Sequence, residues 1–298
     1  MPHLDRRQFA LASASALTLS SLGATPASRA PERSIRKAVK VGMIGVGGSL
    51  ADKFRAVAEL GFDGVEMDSP NDYSLEEVLA AKEASGLAIP GTVDSVHWRD
   101  TLGDPDPEVR ARGVQGLETA LRDAKAYGAS TALLVPAVVN KRISYADAYE
   151  RSQQEIRKVL PLAEELGVKI AIENVWNQFL LSPLEAARYV DELESDHVGW
   201  FMDVGNVVNY GWPEQWIRIL GPRILKLDFK EFSRKKRDDE GLWKGFCALG
   251  EGDCDWPAVM QALDEIGYTK GWASAEVRGG DRERLTAIHA WMDGILAS

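Results

Sequence analysis

Short runs of apolar and β-branched residues alternate with longer amphipathic stretches from about residue 39 to the end of the chain. The short runs end in glycine or polar residues, and the longer runs repeat their apolar residues at helical spacing. The predicted strands are residues 39–45, 62–68, 88–96, 130–138, 169–173, 198–203, 224–231 and 272–276. Strands that are nearly all apolar are typical of a parallel sheet buried on both faces.

Helices are predicted between these strands. Their expected bounds are residues 49–60, 107–127, 144–166, 182–193, 256–266 and 281–296, with two more beginning at Ser74 and after Pro213. We expect Pro161 to break the helix that contains it. Residues 232–253 are predicted to be a loop, in which the charged run 234–240 is either a solvated stretch or a lid that closes on a substrate.

Eight strand–helix units within residues 36–298 predict an α/β fold, a single-domain (β/α)8 TIM barrel. An open doubly wound sheet is the alternative. It would be favoured by a glycine-rich dinucleotide fingerprint, but the glycines at 45, 47 and 48 lack that spacing, and a tight turn after a strand explains them.

Carboxylates end four of the predicted strands. They are Glu173, Asp203, Asp228 and Glu276. Active sites of this type of barrel lie at the carboxyl ends of the strands, so the four acids are expected to face one another there. Four close carboxylates repel unless a cation lies between them, and oxygen ligands favour Mn or Mg, with Zn or Co possible. For any single acid, a helix cap or a rim salt bridge is the simpler interpretation.

The first thirty residues resemble a twin-arginine export signal. Residues 5–10 (DRRQFA) precede a weakly apolar run and then a region of small residues near residue 30. The run is too short to cross a membrane. We therefore expect residues 1–30 to direct export to the periplasm, with no membrane attachment afterwards; a basic tail without structure is the alternative.

Composition narrows the possible partners. The 298-residue chain is 45% hydrophobic and 27% charged, with a formal net charge of -10. Such an acidic chain is a poor candidate for binding a nucleic acid backbone. Cys247 and Cys254 have no metal-binding spacing, and the sequence permits either a disulfide or two free thiols.

The chain resembles the sugar isomerase/epimerase group of xylose isomerase-like barrels. The motifs that carry the resemblance are Phe62–Glu66 (FDGVE), Ile172–Asn174 (IEN), Met202–Asn206 (MDVGN), Lys226–Glu231 (KLDFKE), Leu249–Trp256 (LGEGDCDW) and Ala275–Glu276 (AE). Each motif alone is weak, but their order and spacing are fairly specific for this superfamily, and none of them identifies a substrate.

The resemblance implies one metal ion held by two Glu, an Asp and a His. Glu173, Asp203 and Glu276 match, whereas Asp228 stands at the His position and Asn206 ends a motif that has His in the family. It also implies that Glu173 and Glu276 move a proton next to a carbonyl, while the metal stabilises an enediolate. Arg234 matches a substrate-binding arginine of the family, and Asn206 is assigned to the substrate pocket with it.

Four further residues are candidates for substrate binding. They are Glu66, His97, Trp98 and Lys230. Glu66 lies near the end of the second strand and Lys230 near the end of the seventh, so both are expected to reach the site. His97 and Trp98 follow the third strand, where they would hold a sugar hydroxyl and stack on its ring; an ordinary loop role is the alternative.

The sequence therefore predicts a divalent-metal-dependent isomerase or epimerase acting on a small carbohydrate, and it is compatible with a homodimer. A lyase that cleaves 3-keto-glycosides is an alternative on the same scaffold. A sugar-binding barrel without turnover is a third interpretation, favoured by Asp228 and Asn206. An endonuclease is disfavoured, because that chemistry needs several zinc ions and many histidines.

Overall fold

The computed structural model describes residues 33–298. The predicted export signal, residues 1–30, lies outside the described residues. The ten strands are β1 Ser34–Lys40, β2 Gly64–Ser69, β3 Gly91–Asp94, β4 Thr131–Leu134, β5 Lys169–Glu173, β6 Val198–Asp203, β7 Ile224–Phe229, β8 Glu231–Phe232, β9 Phe246–Cys247 and β10 Lys270–Ala275.

Ten α-helices accompany these strands in the described part of the chain. They are α1 Leu50–Glu59, α2 Leu75–Ser85, α3 Pro107–Tyr127, α4 Tyr145–Leu166, α5 Pro183–Asp191, α6 Val204–Val208, α7 Pro213–Leu220, α8 Arg234–Glu240, α9 Trp256–Glu265 and α10 Arg282–Leu296. Short 3-10 turns cover Val41–Met43, Gly221–Arg223 and Leu242–Gly245. Within residues 33–298, no helix combines the length and the apolar character needed to cross a membrane.

Eight strands close into a parallel barrel in the order β1-β10-β7-β6-β5-β4-β3-β2. The predicted (β/α)8 barrel is confirmed, and the open sheet is excluded by the pairing of β1 with both β2 and β10. The pairing of β6 with β7 places Asp203 directly opposite Asp228. This register sets two of the strand-end acids at the same height in the barrel.

Apolar residues pack in two layers. The large cluster lies between the strands and the surrounding helices. A small second cluster, formed by Leu133, Ala171 and Phe201, consists of one residue from each of three neighbouring strands. Because the strands are buried on both faces, few polar side chains among them can reach water, and those that cannot must find partners inside the protein.

Helix ends follow local sequence signals. Ser49 and Ser74 form capping boxes with Asp52 and Glu77 at the starts of α1 and α2. Gly86 adopts a left-handed conformation (φ 72°) at the end of α2, a geometry that side chains disfavour. These signals explain why the predicted helix bounds lie close to the observed ones.

Two predicted elements were wrong in detail. β1 covers Ser34–Lys40 and not residues 39–45, because it pairs with β10 from Ser34 onward and its exposed Arg36 packs over the Trp272 ring. α4 continues through Pro161, which does not break it. Pro161 lies on the exposed face, where water can replace the lost backbone donor.

The segment 232–253 is also more ordered than predicted. It contains the helix α8, whose start is capped by Ser233, and a two-stranded antiparallel pair of β8 with β9. The charged run 234–240 is therefore a helix on the surface and not a loop. The short helix α6 directly after β6 was not predicted either.

Candidate active site

Four carboxylates meet at the carboxyl ends of the barrel strands, as the sequence predicted. Each of these residues offers one oxygen, and the four oxygens all lie within 4.8 Å of one another. We call them the acid cluster: Glu173, Asp203, Asp228 and Glu276. Asp203 and Asp228 are fully buried, Glu173 is 8% exposed, and about a third of the Glu276 side chain (32%) is exposed.

Asp203 has two roles. Its Oδ1 accepts a hydrogen bond from the backbone N–H of Asn206 (2.8 Å) and so caps α6. Its Oδ2 lies 2.9 Å from Nζ of Lys230 and faces the cluster. The helix-cap interpretation of a strand-end acid is thus correct for one oxygen of Asp203 and leaves the other free for the site.

Asn174 ties the ends of β5 and β6 together. Its Oδ1 accepts hydrogen bonds from the backbone N–H of Asp203 (3.0 Å) and from Nε1 of Trp200 (3.1 Å). Its Nδ2 donates to the Asp203 carbonyl (2.7 Å), and Asn206 Nδ2 donates to the Asn174 carbonyl (2.9 Å). Glu173 is the chain neighbour of Asn174, and Asp203 is hydrogen-bonded to it. This clamp therefore fixes the positions of Glu173 and Asp203 relative to each other.

Two lysines penetrate the acid cluster. Lys230 Nζ lies 2.9 Å from Asp203 and 3.0 Å from Glu276, as expected for a residue predicted to reach the site. Lys40 Nζ lies 2.9 Å from Asp228 and 3.5 Å from Glu276. Sequence reasoning missed Lys40, because the first strand was predicted over residues 39–45 and Lys40 therefore stood near its start.

A second layer of charge lies below the cluster. Glu66 is 1% exposed and lies 3.6 Å from both Lys40 and Lys226. Lys226, also buried, crosses the barrel and donates to the Pro90 carbonyl. A Cβ at Gly91 would lie 2.7 Å from Lys226 Nζ, so a larger residue there would displace the lysine tip. Lys226 is the second functional candidate that sequence reasoning missed.

Several carboxylate oxygens of the cluster have no hydrogen-bond donor among residues 33–298. They are both oxygens of Asp228, Oδ2 of Asp203 and Oε2 of Glu276. Lys40 and Lys230 contact three of these oxygens as charges, outside hydrogen-bonding geometry. Buried acceptors without donors are costly, and a cation among them would remove that cost. The residues therefore fit a divalent metal ion, with oxygen-only ligands.

The cluster carboxyls have unequal proton affinities. Burial and the charge of Glu276 raise the pKa of Glu173 well above its usual range. Burial likewise raises the pKa of Asp203 and Asp228. Burial also acts to raise the pKa of Glu276, but Lys230 and Lys40 outweigh it and hold that pKa below its usual range. One carboxyl is thus held ionised beside others that bind protons more readily.

A cavity of about 290 Å³ opens above the acid cluster. Glu173, Glu276, Asn206 and Lys230 form its polar floor, and Trp98, Val175, Trp176, Trp243 and Phe246 complete its lining. Trp176 packs against Phe246 and Trp243, with ring centroids 4.8 and 5.4 Å apart. A polar floor under an aromatic wall suits a ligand that has hydroxyl groups and apolar C–H faces.

A second cavity of about 430 Å³ adjoins the first and shares Lys230, Phe246 and Glu276 with it. It continues toward Arg278 and Arg284. The β8–β9 pair and the turn Leu242–Gly245 bring Phe246 and Trp243 to the boundary. The segment that was predicted to be a loop is therefore what builds one wall of the site.

The remaining predicted site residues lie at different distances from this cavity. Trp98 lines it, and Asn206 lines it with Oδ1 3.4 Å from Lys230 Nζ. His97 is buried beside Trp98, and its Nδ1 accepts from the Val135 N–H (3.2 Å). Burial and Lys40 lower the pKa of His97 to about 3, so its ring is neutral.

Glu66 and Arg234 do not line the cavity. Glu66 lies in the layer below the cluster. Arg234 donates to the Gly211 carbonyl (3.1 Å), and its guanidinium lies 5.9 Å from the Trp212 ring centre. The structure therefore brings the four acids, Trp98, Asn206 and Lys230 together and leaves Arg234 outside this group.

Glu231 is a buried acid of a different kind. Its oxygens accept hydrogen bonds from Nε1 of Trp256 (2.8 Å) and from the backbone N–H groups of Gly250, Cys254 and Phe232. These contacts hold the segment 249–256 against β8. The nearby Cys247 and Cys254 are free thiols, so no disulfide joins them.

The family model described as xylose isomerase-like TIM barrel matches residues 54–295. The chain belongs to the xylose isomerase-like TIM-barrel family. A curated relative in sequence is the L-ribulose-5-phosphate 3-epimerase UlaE of Shigella flexneri. It is 25% identical over 229 residues, which cover 73% of this chain and 78% of the relative.

Solved structures share the fold of this xylose isomerase-like barrel. The apo form of the Escherichia coli 3-keto-D-glucoside 4-epimerase YcjR has a TM-score of 0.72 at 18% identity, covering 89% of this chain and 100% of that one. The IOLI protein with a bound zinc atom also has a TM-score of 0.72, at 16% identity, covering 88% of this chain and 98% of that one.

Proposed function

We propose that this xylose isomerase-like barrel is a carbohydrate epimerase or isomerase that uses one divalent metal ion. The names of its relatives support a carbohydrate substrate: one is a ribulose-phosphate 3-epimerase, and another is a 3-keto-glucoside 4-epimerase. The acid cluster supports the metal ion, which the oxygen-only ligands favour as Mn or Mg, with Zn or Co possible.

The observation that carries this proposal is the placement of Glu173 and Glu276 on one cavity floor with opposite pKa shifts. β5 and β10 are separated by β6 and β7 around the barrel, so the two carboxyls approach a ligand from different sides. Paired carboxyls whose environments drive their pKa values apart are suited to act as acid and base.

In the proposed reaction, Glu276 takes the proton from the carbon beside a carbonyl group, because Lys230 and Lys40 keep it ionised. Glu173, whose raised pKa lets it carry a proton of its own, gives that proton either to the other face of that carbon or to the neighbouring carbon. When bound, the metal ion supplies Lewis-acid stabilisation of the charge that develops on the carbonyl oxygen.

The other cavity residues bind and orient the substrate. Lys230 and Asn206 face the floor and are positioned to hold hydroxyl groups. Trp176, Trp243 and Phe246 form an apolar wall against which a sugar ring can pack while water is excluded. Arg234 stays a sequence-based prediction for substrate binding.

The decisive experiment combines metal content with proton exchange. Protein purified with each metal in turn is expected to hold about one ion per chain. It should also exchange a proton of a keto sugar with solvent deuterium, as seen by NMR. Glu276→Gln should lower the exchange rate by about 10²–10⁴-fold, the usual contribution of a positioned acid–base group, because Glu276 is the proposed proton acceptor.

Asp147→Asn is the control for this experiment. Asp147 is an exposed acid in the first turn of α4 that neither belongs to the acid cluster nor lines the cavity. Its exchange rate should equal that of the wild type. Wild-type protein that binds no metal after each ion is added, or that exchanges no proton with any keto sugar, would contradict the proposed function.

A lyase acting on 3-keto-glycosides is the second candidate. The cavity of about 430 Å³ that adjoins the site favours it, because a second ring or leaving group has room there beside Glu276. Removal of the same proton would then expel the group on the neighbouring carbon. Product analysis by mass spectrometry separates the two: cleavage gives two smaller products, and epimerisation preserves the mass.

We also propose that the protein is exported to the periplasm, on the basis of the twin-arginine pattern of residues 5–10. The prediction is tested by fractionating cells that express the full chain. Replacing Arg6 and Arg7 with Lys should retain the protein in the cytoplasm, whereas an unchanged distribution would contradict export by this route.

A further inference from the structure

Eight charged side chains form a column at the carboxyl-terminal end of the barrel strands. Five are acids and three are lysines: Glu66, Glu173, Asp203, Asp228, Glu276, Lys40, Lys226 and Lys230. Glu173 belongs to the column through the acid cluster alone. The other seven are linked by contacts between opposite charges: Lys226 contacts Glu66, Glu66 contacts Lys40, and Lys40 contacts Asp228 and Glu276. Lys230 then joins Glu276 to Asp203. Counted as ionised, as carboxylates that hold a cation must be, five acids and three lysines leave a net charge of -2.

We propose that Lys40 is the built-in counter-ion of Asp228 and that this pair sets the centre to accept a doubly charged cation. The inference rests on the proposed function, since it concerns the metal ion of that same site. A net charge of -2 is neutralised by one divalent ion. The resemblance puts a neutral histidine at the position of Asp228. The negative Asp228 and the positive Lys40 together also carry no net charge, so the pair matches the charge of that histidine.

The contacts of Lys40 support this role. Its Nζ lies 2.9 Å from Asp228 Oδ2, the shortest of its three contacts with acids. The ammonium also lies 5.2 Å from the centre of the Phe201 ring, which limits where the side chain can go. Asp228 is fully buried and the Lys40 side chain is only 15% exposed, so water screens their charges weakly.

Other charged groups nearby lie outside the column, although the charge of Lys40 acts on one of them, Asp68, where burial raises the pKa and that charge opposes the effect of burial. His97 is neutral, as its low pKa shows. Asp68, two residues beyond Glu66, lines a separate surface cavity together with Lys53. Glu231 accepts its four hydrogen bonds from N–H groups outside the column. The column is therefore the set of charged side chains that belong to the acid cluster or are linked to it by ion pairs.

The two lysines do not take the place of the cation in this arrangement. Both Asp228 oxygens lack a hydrogen-bond donor within the described chain, even though Lys40 is in contact. Glu173 has no ion pair in residues 33–298 although it lies in the cluster. Oxygens of the acid cluster thus lack hydrogen bonds even where an ammonium group is in contact with them.

Charge-changing variants test the inference by metal selectivity. The metal-free full chain and its variants are titrated with Mn²⁺, followed by electron paramagnetic resonance, and with Tb³⁺, followed by luminescence. The measured quantity is the ratio of Tb³⁺ affinity to Mn²⁺ affinity. Lys40→Met changes the net charge to -3 and should raise this ratio about 30-fold or more, because a buried unit charge acts within a few ångströms of the ion.

The double variant Lys40→Met/Asp228→Asn returns the charge to -2, so its ratio should fall back to within about threefold of the wild-type value. Asp228→Asn alone leaves -1 and should weaken Mn²⁺ binding about 100-fold. Lys53→Met removes a lysine outside the column and should leave the ratio unchanged. Circular dichroism checks that each variant is folded. If Lys40→Met does not fold, the ratio measured for the double variant tests the role of Lys40.

The results separate this inference from the proposed function. If wild-type protein binds one Mn²⁺ but Lys40→Met leaves the ratio unchanged, the role of Lys40 is wrong and the metal centre stands. A double variant whose ratio stays far from the wild-type value also overturns the role of Lys40. If wild-type protein binds neither ion, the metal centre itself is wrong, and the inference falls with it.

Discussion

The protein surrounds two sets of buried carboxylates in opposite ways: Glu231 at the start of β8, and the acid cluster, to which Asp228 in β7 belongs. Glu231 accepts hydrogen bonds from three backbone N–H groups and one indole N–H. Asp228, three residues earlier, has no donor for either oxygen within residues 33–298. An acid whose acceptors are all used serves the fold, whereas acids whose oxygens converge without donors form a place for a cation.

The largest effect should come from removing the acceptors of Glu231. Glu231→Gln keeps the size of the side chain but replaces one acceptor oxygen by an NH₂ group, which faces N–H donors. We expect the free energy of unfolding to fall by about 2–4 kcal/mol, because buried donors lose their partners. Urea unfolding of the metal-free protein measures this change.

Glu251→Gln is the matched control, because Glu251 is an exposed acid on the same segment. Its effect should stay within about 0.5 kcal/mol. Metal binding should be unchanged in Glu231→Gln. A variant that keeps full stability, or that loses its metal ion, would break the distinction between the two sets of acids.

The next effect concerns the acid cluster itself. A divalent ion at 100 times its dissociation constant should raise the free energy of unfolding by about 2.7 kcal/mol, because it binds only the folded protein. Urea unfolding with and without Mn²⁺ measures the gain. Asp228→Asn should lose most of this gain, and Glu231→Gln should keep it; equal gains in both variants would contradict the comparison.

Asp94 sharpens the comparison, because it is a buried acid outside both sets. It is fully buried, and its Oδ1 accepts from the Val96 N–H, but its Oδ2 has no donor in the described residues. Burial raises the pKa of Asp94 to about 7. Asp94, as a single buried acid, is expected to bind a proton, whereas the acid cluster is expected to bind a metal cation.

The raised pKa of Asp94 has a defined consequence for stability. The folded protein binds this proton more tightly than the unfolded chain does, so stability falls as pH rises from about 4 to about 7. The limiting slope is about 1.4 kcal/mol per pH unit. Asp94→Asn, compared with wild type at saturating Mn²⁺, should flatten the slope; parallel stability curves for the two proteins would contradict this assignment.

The smallest effect on stability should come from the cavity wall. Trp243 is 72% exposed, so Trp243→Ala should change the free energy of unfolding by no more than about 0.5 kcal/mol. If Trp243 packs against the substrate, KM should still rise several-fold while the metal ion stays bound. A large loss of stability with unchanged KM would show that this tryptophan serves the fold.

The parts of the structure that sequence predicted best were those where chemistry marks the boundary. β5 and β6 end at Glu173 and Asp203, as expected, because an acid cannot continue a buried strand without a partner. The meeting of the four acids followed from the barrel, since all its strands end on one side. β1 was displaced because its charged residues hide its pairing with β10.

The lysines of the column could not be predicted in the same way. Lys40 and Lys226 are strand lysines, and a strand lysine usually reaches water. Whether each one instead contacts an acid depends on the register of β1, β2, β7 and β10, which distant parts of the chain determine. The acceptor role of Glu231 likewise depends on a segment about twenty residues later folding back over it.

The hydrogen bonds of Asn174 make the β5–β6 side of the site more rigid than the β10 side. On one side, its hydrogen bonds to Asp203 lock the ends of β5 and β6 into a rigid block. On the other side, Glu276 lies just beyond β10 and is partly exposed. A metal ion of larger radius would therefore displace Glu276 and Lys230 outward and leave Glu173 and Asp203 where they are. Exchange between ions of different size should therefore change the position of the Glu276 carboxylate and leave the rest of the barrel unchanged.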